Sequence, residues 1–347
     1  MYYIVTVFDS LNYGSYFQAH ALQWELEKYG EVRFVDIHHQ STKRQTVYSL
    51  AKNLAKKRLG AAILDLRKYI LFSEARKSFK VIDISQIIDR DEDVYFFGSD
   101  EIWNIHREKI RKSKEFFGYG FPEHSRIALA PSLNQTSLEE ILESGYVIKE
   151  LKKFEKISVR DNHSKEVIEK ATGKRCVLVA DPTLMFEKDY YKALQTQNVT
   201  EEHFILLYTY GKMLKPDVMN CIRKYADDNG LIIVSIGRYF DFCDICKAVS
   251  PETFLTYICN ADYVVTDTFH GLMFSLIYEK QFLTFPCGNV KVEESLEMLG
   301  LQNRLCRDIN LFAELIEEKI QYERISSSLG AYSNTTKMFI RGILSNS

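Results

Sequence analysis

Short runs of β-branched and aromatic residues alternate along this chain with longer stretches of helical period. That alternation restricts it to layered α/β architectures with mainly parallel sheets. Strands are expected near residues 2–7, 32–37, 93–97 and 125–130, and again near 155–159, 176–179, 203–208, 231–236, 262–266 and 281–285. A helix is expected from about Ser15 to Tyr29. A second helical region runs from about Thr46 to Phe79, with Leu50, Leu54, Leu59, Ile63, Leu66, Ile70 and Leu71 as an amphipathic stripe. At 347 residues the chain exceeds one ordinary core, so two domains are expected. The first is placed at residues 1–150, with a basic helical excursion at 41–80. The second, opening with "KISVRD", is placed at 151–325, and a tail at 326–347 packs back on the first domain. "ADPTLMF", where Asp181 and Pro182 end regular structure, reads as a crossing between domains.

Charge narrows the function classes. The 45 basic and 47 acidic residues nearly cancel, which argues against a wholesale nucleic-acid or membrane binder. Between Ser41 and Lys80, however, eleven Lys or Arg residues stand against Asp65 and Glu74 alone. No run reaches the ~20 apolar residues of a membrane span. The apolar start "YYIVTVF" has no basic region before it and reads as a first strand. Seven cysteines without an export signal point to reduced thiols in a cytoplasm. Cys243 and Cys246 form a C-x-x-C pair with no second pair, so neither metal nor redox function is expected of them.

Four strand-end turns carry polar residues or glycine. In "DSLNYGSYFQAHALQ", Asn12 and Gly14 give a turn that brings backbone close to a ligand, and Ser15 is placed to cap the next helix. G-x-G-x-x-G and P-loop patterns are both missing, so dinucleotide or P-loop binding has little support. In "FFGSDEIWN", Gly98 permits close approach, and Ser99, Asp100, Trp103 and Asn104 follow. Two readings fit: a carboxylate beside an indole that holds a sugar, or a helix start capped by Ser99 or Asp100 over a buried Trp103. "KISVRDNHS" puts Arg160 and Asp161 just past a strand, as an anion grip or as a surface salt bridge. "YVVTDTFHGLMFSLIYEK" turns from strand to helix at Asp267, Thr268, Phe269, His270 and Gly271. These residues face a crevice that collects ligands, or else Asp267 or Thr268 caps the helix and His270 packs against a neighbour.

"NYGSYFQAHALQ", "GSDEIWN", "ISVRDNHS", "VLVADPTL" and "NADYVVTDTFHGLMFSLIYEKQFLTF" occur in an order and spacing that resembles the polysaccharide pyruvyl transferase family. The similarity runs from about residue 2 to about residue 305. It implies a GT-B-like fold, two Rossmann-like domains facing across a cleft. It also implies transfer of the enolpyruvyl unit of phosphoenolpyruvate to a sugar of a capsule or exopolysaccharide, or of its precursor, with closure to a pyruvate ketal. Phosphoenolpyruvate is then a co-substrate, and no cofactor or metal is expected. Carried over by position, the family's strand-end arginine falls on Arg160 and its histidine on His270. Several members have an arginine two residues before that histidine, where this chain has Thr268.

On this footing the expected catalytic residues are His270, Arg160 and Asp267, with His270 as the acid that protonates the donor's methylene carbon. Thr268, Phe269 and Gly271 complete the donor side, and Arg238 and Lys212, at neighbouring strand ends, supply the positive charge missing at Thr268. Asn12, Gly14, Gly98, Ser99, Asp100, Trp103 and Asn104 form the acceptor side. A sugar or glycan-precursor acceptor, lipid-linked or not, is the expected partner, and nucleic acid is not. The location expected is cytoplasmic, with the 41–80 region making peripheral contact at the inner membrane face. The rival readings are a glycosyltransferase that uses a nucleotide sugar and a non-catalytic carbohydrate-binding protein of the same fold.

Overall fold

The computed structural model describes residues 1–37, 42–196, 199–288 and 290–345. Its strands are β1 (Tyr2–Val5), β2 (Val32–Asp36), β3 (Val81–Asp83), β4 (Val94–Phe97), β5 (Arg126–Ala128), β6 (Lys156–Val159) and β7 (Cys176–Leu178). They continue with β8 (Phe204–Tyr208), β9 (Ile232–Ile236), β10 (Ile245–Lys247), β11 (Tyr263–Thr266) and β12 (Gln281–Leu283). The helices begin with α1 (Tyr13–Leu26), α2 (Thr42–Ala55), α3 (Leu59–Ala75), α4 (Glu108–Lys112), α5 (Leu138–Glu143), α6 (Gly145–Leu151) and α7 (Asn162–Thr172). Then come α8 (Lys188–Ala193), α9 (Pro216–Asp228), α10 (Pro251–Asn260), α11 (Phe269–Ile277), α12 (Val290–Met298), α13 (Phe312–Glu317) and α14 (Tyr322–Leu344).

The strands form two sheets, parallel throughout. The first runs β3-β2-β1-β4-β5-β6-β7 and the second β10-β9-β8-β11-β12. Central strands such as β4 and β8 are buried along their whole length, which is why they read as unbroken apolar runs. Both sheets share one winding. The chain moves outward from β1 through β2 and β3, then returns to place β4 on the other side of β1. It repeats this in the second sheet, where β8 lies between β9 and β11. Helices leave such a reversal point toward opposite faces, and a crevice opens outside the carboxyl ends of the two central strands. Thr6 to Ser15 and Gly98 to Asn104 follow the central pair of the first sheet; Thr209 to Met213 and Asp267 to Gly271 follow that of the second.

Two compact units result. Met1–Ser41, Arg76–Met185 and Gly330–Ser347 make the first, Thr42–Ala75 and Phe186–Leu329 the second. The break therefore falls well after residue 150. β6 pairs with β5 and β7 with β6, so both extend the first sheet. The basic region belongs to the second unit, and it is not one helical stretch. Lys57, in left-handed backbone at φ 56°, turns the chain between α2 and α3. Ser49 and Asn53 of α2 then donate to Asp65 of α3 at 2.5 and 2.8 Å. Ser41, the start of the basic region, lies outside the described residues, as do residues 346 and 347 of the tail.

In the first unit the tail is helical. Thr335 Oγ1 accepts from the Ala180 N–H at 3.0 Å, and the Thr336 hydroxyl donates to the Ala180 carbonyl at 2.7 Å. The Tyr332 hydroxyl donates toward the carbonyls of Arg160 and Val179, each at 3.3 Å. The unit's core is aromatic. Tyr3 stacks on Tyr95 at 5.0 Å, and Phe97 meets Phe121 and Phe154 edge-on. In the second unit Ile205, Leu207, Ile233, Val265 and Leu283 lie beneath α9 and α13. All seven cysteines are free thiols, and Cys246 lies in β10. Among the described residues no helix is long and apolar enough to cross a membrane.

Candidate functional site

The carboxyl ends of β1 and β4 are in register, Val5 opposite Phe97, so the turns after them start side by side. Gly98 has φ 121°, and a Cβ there would lie 2.2 Å from the Leu129 carbonyl oxygen, so only glycine fits this passage. The Ser99 N–H donates to Gln18 Oε1 at 3.3 Å, and the Ser99 carbonyl accepts from the Thr6 hydroxyl at 3.2 Å. Gln18 also donates to Thr6 Oγ1 at 3.2 Å, which ties α1 to both strand ends. Asp100, in left-handed backbone at φ 69°, accepts from the Ser15 hydroxyl at 2.6 Å.

Arg160, just past β6, reaches into this cluster. Its guanidinium pairs with Asp181 and, at 3.4 Å, with Asp100, and it donates to Ser99 Oγ at 3.4 Å. Burial alone would weaken its hold on the proton, but Asp181 and then Asp100 outweigh that and raise its pKa. Two carboxylates around one guanidinium leave a net negative charge, so Arg160 spends its charge inside the unit. It positions the Ser99–Asp100 turn and is not an open grip for a substrate anion.

The turn after β11 is built from threonines. The Thr266 hydroxyl donates to the Tyr208 carbonyl at 2.6 Å, which locks β11 to β8, and Thr266 Oγ1 accepts from the Thr268 N–H at 3.1 Å. Thr268 caps α11 by accepting from the Gly271 N–H at 2.9 Å. A Cβ on Gly271 would meet Thr266 Oγ1 at 2.1 Å and Thr268 Oγ1 at 2.6 Å. His270 therefore stands in the first turn of α11, largely buried, with its ring edge-on to Phe269 at 5.2 Å. Asp267 turns to the neighbouring strand and accepts from the N–H groups of Tyr210 at 3.0 Å and Met213 at 3.3 Å. It shapes the loop that carries Tyr210, Gly211 and the exposed Lys212. Arg238, beyond β9, lies 5.6 Å over the Tyr210 ring.

Several expected site residues take other places. Trp103 is fully buried, donates from its indole N–H to the Phe116 carbonyl at 3.1 Å and packs edge-on to Phe154. It offers no face to a sugar. Asn104 is buried and donates to Glu101 at 2.9 Å. Asn12, not Ser15, caps α1, accepting from the Gly14 N–H at 2.8 Å, and Gly14 is buried within the helix. Asp161 caps α7. Arg160, expected on the donor side, belongs to the first unit with Ser99 and Asp100. Thr6, Gln18 and Asp181 were not anticipated as members of the cluster. Gln18 had a signal, a glutamine three residues after Ser15 on an otherwise apolar helix face.

Fold and turns together define a GT-B-type α/β protein with polar residues gathered at the reversal point of each sheet. Solved structures of that type are similar over nearly the whole chain. UDP-GlcNAc 2-epimerase from Neisseria meningitidis has a TM-score of 0.54 at 12% identity, covering 99% of this chain and 100% of its own. UDP-N-acetylglucosamine 2-epimerase from Rickettsia bellii has a TM-score of 0.53 at 11% identity, covering 99% and 95%. The trehalose-6-phosphate synthase OtsA has a TM-score of 0.54 at 8% identity, covering 99% and 98%. At such identities the likeness is one of fold alone. No curated protein matches the chain by sequence. The sequence profile of the polysaccharide pyruvyl transferase family matches residues 12–289, and the chain belongs to that family, a transferase group of polysaccharide biosynthesis.

Proposed function

We propose that this protein transfers the enolpyruvyl unit of phosphoenolpyruvate to a sugar of a capsule or exopolysaccharide, or of its precursor, and closes it to a pyruvate ketal. The observation that carries the reading is His270 in the first turn of α11, at the reversal point of the second sheet, within the family match. There the imidazole adjoins helix N–H groups that favour anions.

His270 gives its proton to the methylene carbon, and positive charge develops at the neighbouring carbon. One sugar hydroxyl bonds to that carbon, the bond to the phosphate oxygen breaks, and a second hydroxyl closes the ring. Of the two hydroxyl protons released, one returns to His270 and the other leaves with phosphate, so the histidine is restored. Phe269 and Gly271 line the donor's approach, and Gly271 keeps the Thr268 cap close. Arg238 and Lys212 bring positive charge from neighbouring strand ends. Asp267 acts through the Tyr210–Met213 loop. In the first unit, Ser99 and Asp100 are the acceptor contacts, with Asn12, Gly14 and Gly98 shaping the turns and Arg160 holding them.

One observation favours a second reading. Thr268 stands where several family members carry arginine, and the epimerases of similar fold are named for UDP-linked sugars, so a nucleotide-sugar donor is the alternative. Phosphate release from phosphoenolpyruvate with galactose, glucose and mannosamine acceptors, in wild type and His270→Ala, separates the two. Acceptor-dependent release that the substitution abolishes is expected. Release that survives His270→Ala removes the histidine from the chemistry, and turnover of a nucleotide sugar in its place overturns the donor.

The α2–α3 hairpin carries the reading to location. Leu59, Ile63, Leu66 and Ile70, on one side of α3, are 45–62% exposed, as is Leu54 of α2 at 55%. Eight Lys or Arg residues lie in the hairpin, five in its two helices and three in the turn between them, against Asp65 and Glu74. Apolar surface ringed by cations matches an anionic lipid surface, where precursors on lipid carriers are built.

A further inference from the structure

Lys68 reaches the donor end of the second sheet from outside it. α3 lies along the loop that follows β9. Gly60 is packed so tightly that a Cβ would come within 2.7 Å of the Tyr239 ring, and Arg58 is 3.9 Å from Asp241. Further along the helix, the Lys68 ammonium donates to the Gly237 carbonyl at 3.3 Å and lies 5.8 Å from the Phe72 ring centre. Gly237 is the first residue beyond β9 and Arg238 the second.

A chain of contacts links this point to the His270 turn. Arg238 lies over the Tyr210 ring, and the Tyr210 N–H donates to Asp267, three residues before His270. β9, β8 and β11 are adjacent and parallel. Their carboxyl ends step along one edge at about 4.8 Å each, so the strand ends that lead into Arg238 and into the His270 turn are roughly 10 Å apart. A small donor with an anionic group at one end and its reacting carbon at the other fits such a span.

We propose that Lys68 is a donor-binding residue that forms, with Arg238, a two-cation seat for the donor's phosphate or carboxylate. The inference rests on the reading above that a small anionic donor binds at this edge. Two cations brought together repel each other, and an anion between them relieves that repulsion. A planar guanidinium oriented on Tyr210 and a point-charge ammonium complement one another on a phosphate. The seat supplies the charge that Thr268 does not carry, from a helix that precedes the rest of the second unit by more than a hundred residues in sequence.

The seat has its own pH signature. Burial first, and Arg238 second, push the Lys68 ammonium down to about 8, against the opposing pull of Asp65 on its own helix. Lys68 is therefore charged below about pH 8 and discharges as the pH rises through it. The phosphate of a phosphoester has its second pKa near 6 and keeps its charge across that range.

The test is calorimetric titration of phosphoenolpyruvate, and separately of UDP, into wild type, Lys68→Met and Lys68→Arg between about pH 7 and about pH 9.5. A circular-dichroism melt confirms that each variant is folded. Lys68→Met is expected to weaken phosphoenolpyruvate binding by roughly tenfold to a hundredfold, the worth of one hydrogen bond to a charged group. Wild-type affinity is expected to fall above about pH 8. Lys68→Arg should restore binding and abolish that fall, because arginine stays charged. Phosphoenolpyruvate binding by Lys68→Met that matches wild type in strength and pH profile overturns the seat and leaves the pyruvyl reading intact. If UDP alone binds, and Lys68→Met weakens it, the seat stands and the pyruvyl reading falls. If wild type binds neither anion, or loses affinity in Lys68→Met and Lys68→Arg alike, Lys68 is a tether of α3 and the proposal is overturned.

Discussion

Glycine 271 is the residue on which the candidate site depends without chemistry of its own. It leaves room for two threonine hydroxyls, one joining β11 to β8 and one capping α11, and its replacement disturbs both at once. Gly271→Ala puts a methyl group 2.1 Å from Thr266 Oγ1. It is expected to cost about 1–3 kcal/mol, the usual penalty of overpacking, and to lower turnover by shifting His270. Urea unfolding and the phosphate-release assay read the two effects. A variant of wild-type stability and rate would show that the turn is not so tightly set. The position of His270 after a strand was legible because apolar period changes abruptly there. The direction of a side chain was not. Trp103 and Arg160 sit in the expected segments, yet the indole turns into the Phe116–Phe154 core and the guanidinium toward Asp181, contacts made with residues outside each motif.

At the scale of elements, the α2–α3 hairpin shows what periodicity does and does not carry. A stripe running from Leu50 to Leu71 predicts an amphipathic helix. The break at Lys57 goes unseen because no proline or glycine marks it, Gly60 coming only after α3 has begun. Once folded, the hairpin places Lys56, Lys57 and Arg58 at its tip, all exposed. Each basic residue near an anionic membrane is worth about 1 kcal/mol, so reversing all three to glutamate should reduce binding to phosphatidylglycerol vesicles by roughly a hundredfold or more. Vesicle flotation measures this, with neutral vesicles as the comparison, and binding unchanged by the reversal would sink the lipid reading. β3 and β10 also escaped notice. Each is a three-residue edge strand without a single buried position, whereas β7 and β12, equally short and also at edges, bury at least one residue.

For the whole molecule, the parallel α/β class was legible from alternation alone, and the allocation of strands to sheets was not. β6 and β7 look like any buried parallel strands. Only their pairing with β5 places them in the first sheet, and pairing is a long-range property. The same holds for α14, whose threonines meet backbone more than 150 residues away. Removing Gly330–Ser347 is therefore expected to destabilise the first unit and spare the second. A thermal melt of the truncated chain should show a lowered transition for the first unit, with the other unmoved, and unchanged melting would mean that α14 adds little.

The same connectivity sets an order of assembly during synthesis. The ribosome releases the chain at about 5–20 residues per second, and a unit closes only when its last segment has emerged. The second unit has all its parts once Leu329 is out, although it contains a segment from near the start. The first unit, most of which is made earlier, waits for Gly330–Ser347. For that interval its strand ends, with Arg160 and Asp181 among them, lack the helix that covers them, so the half synthesised first is the half completed last.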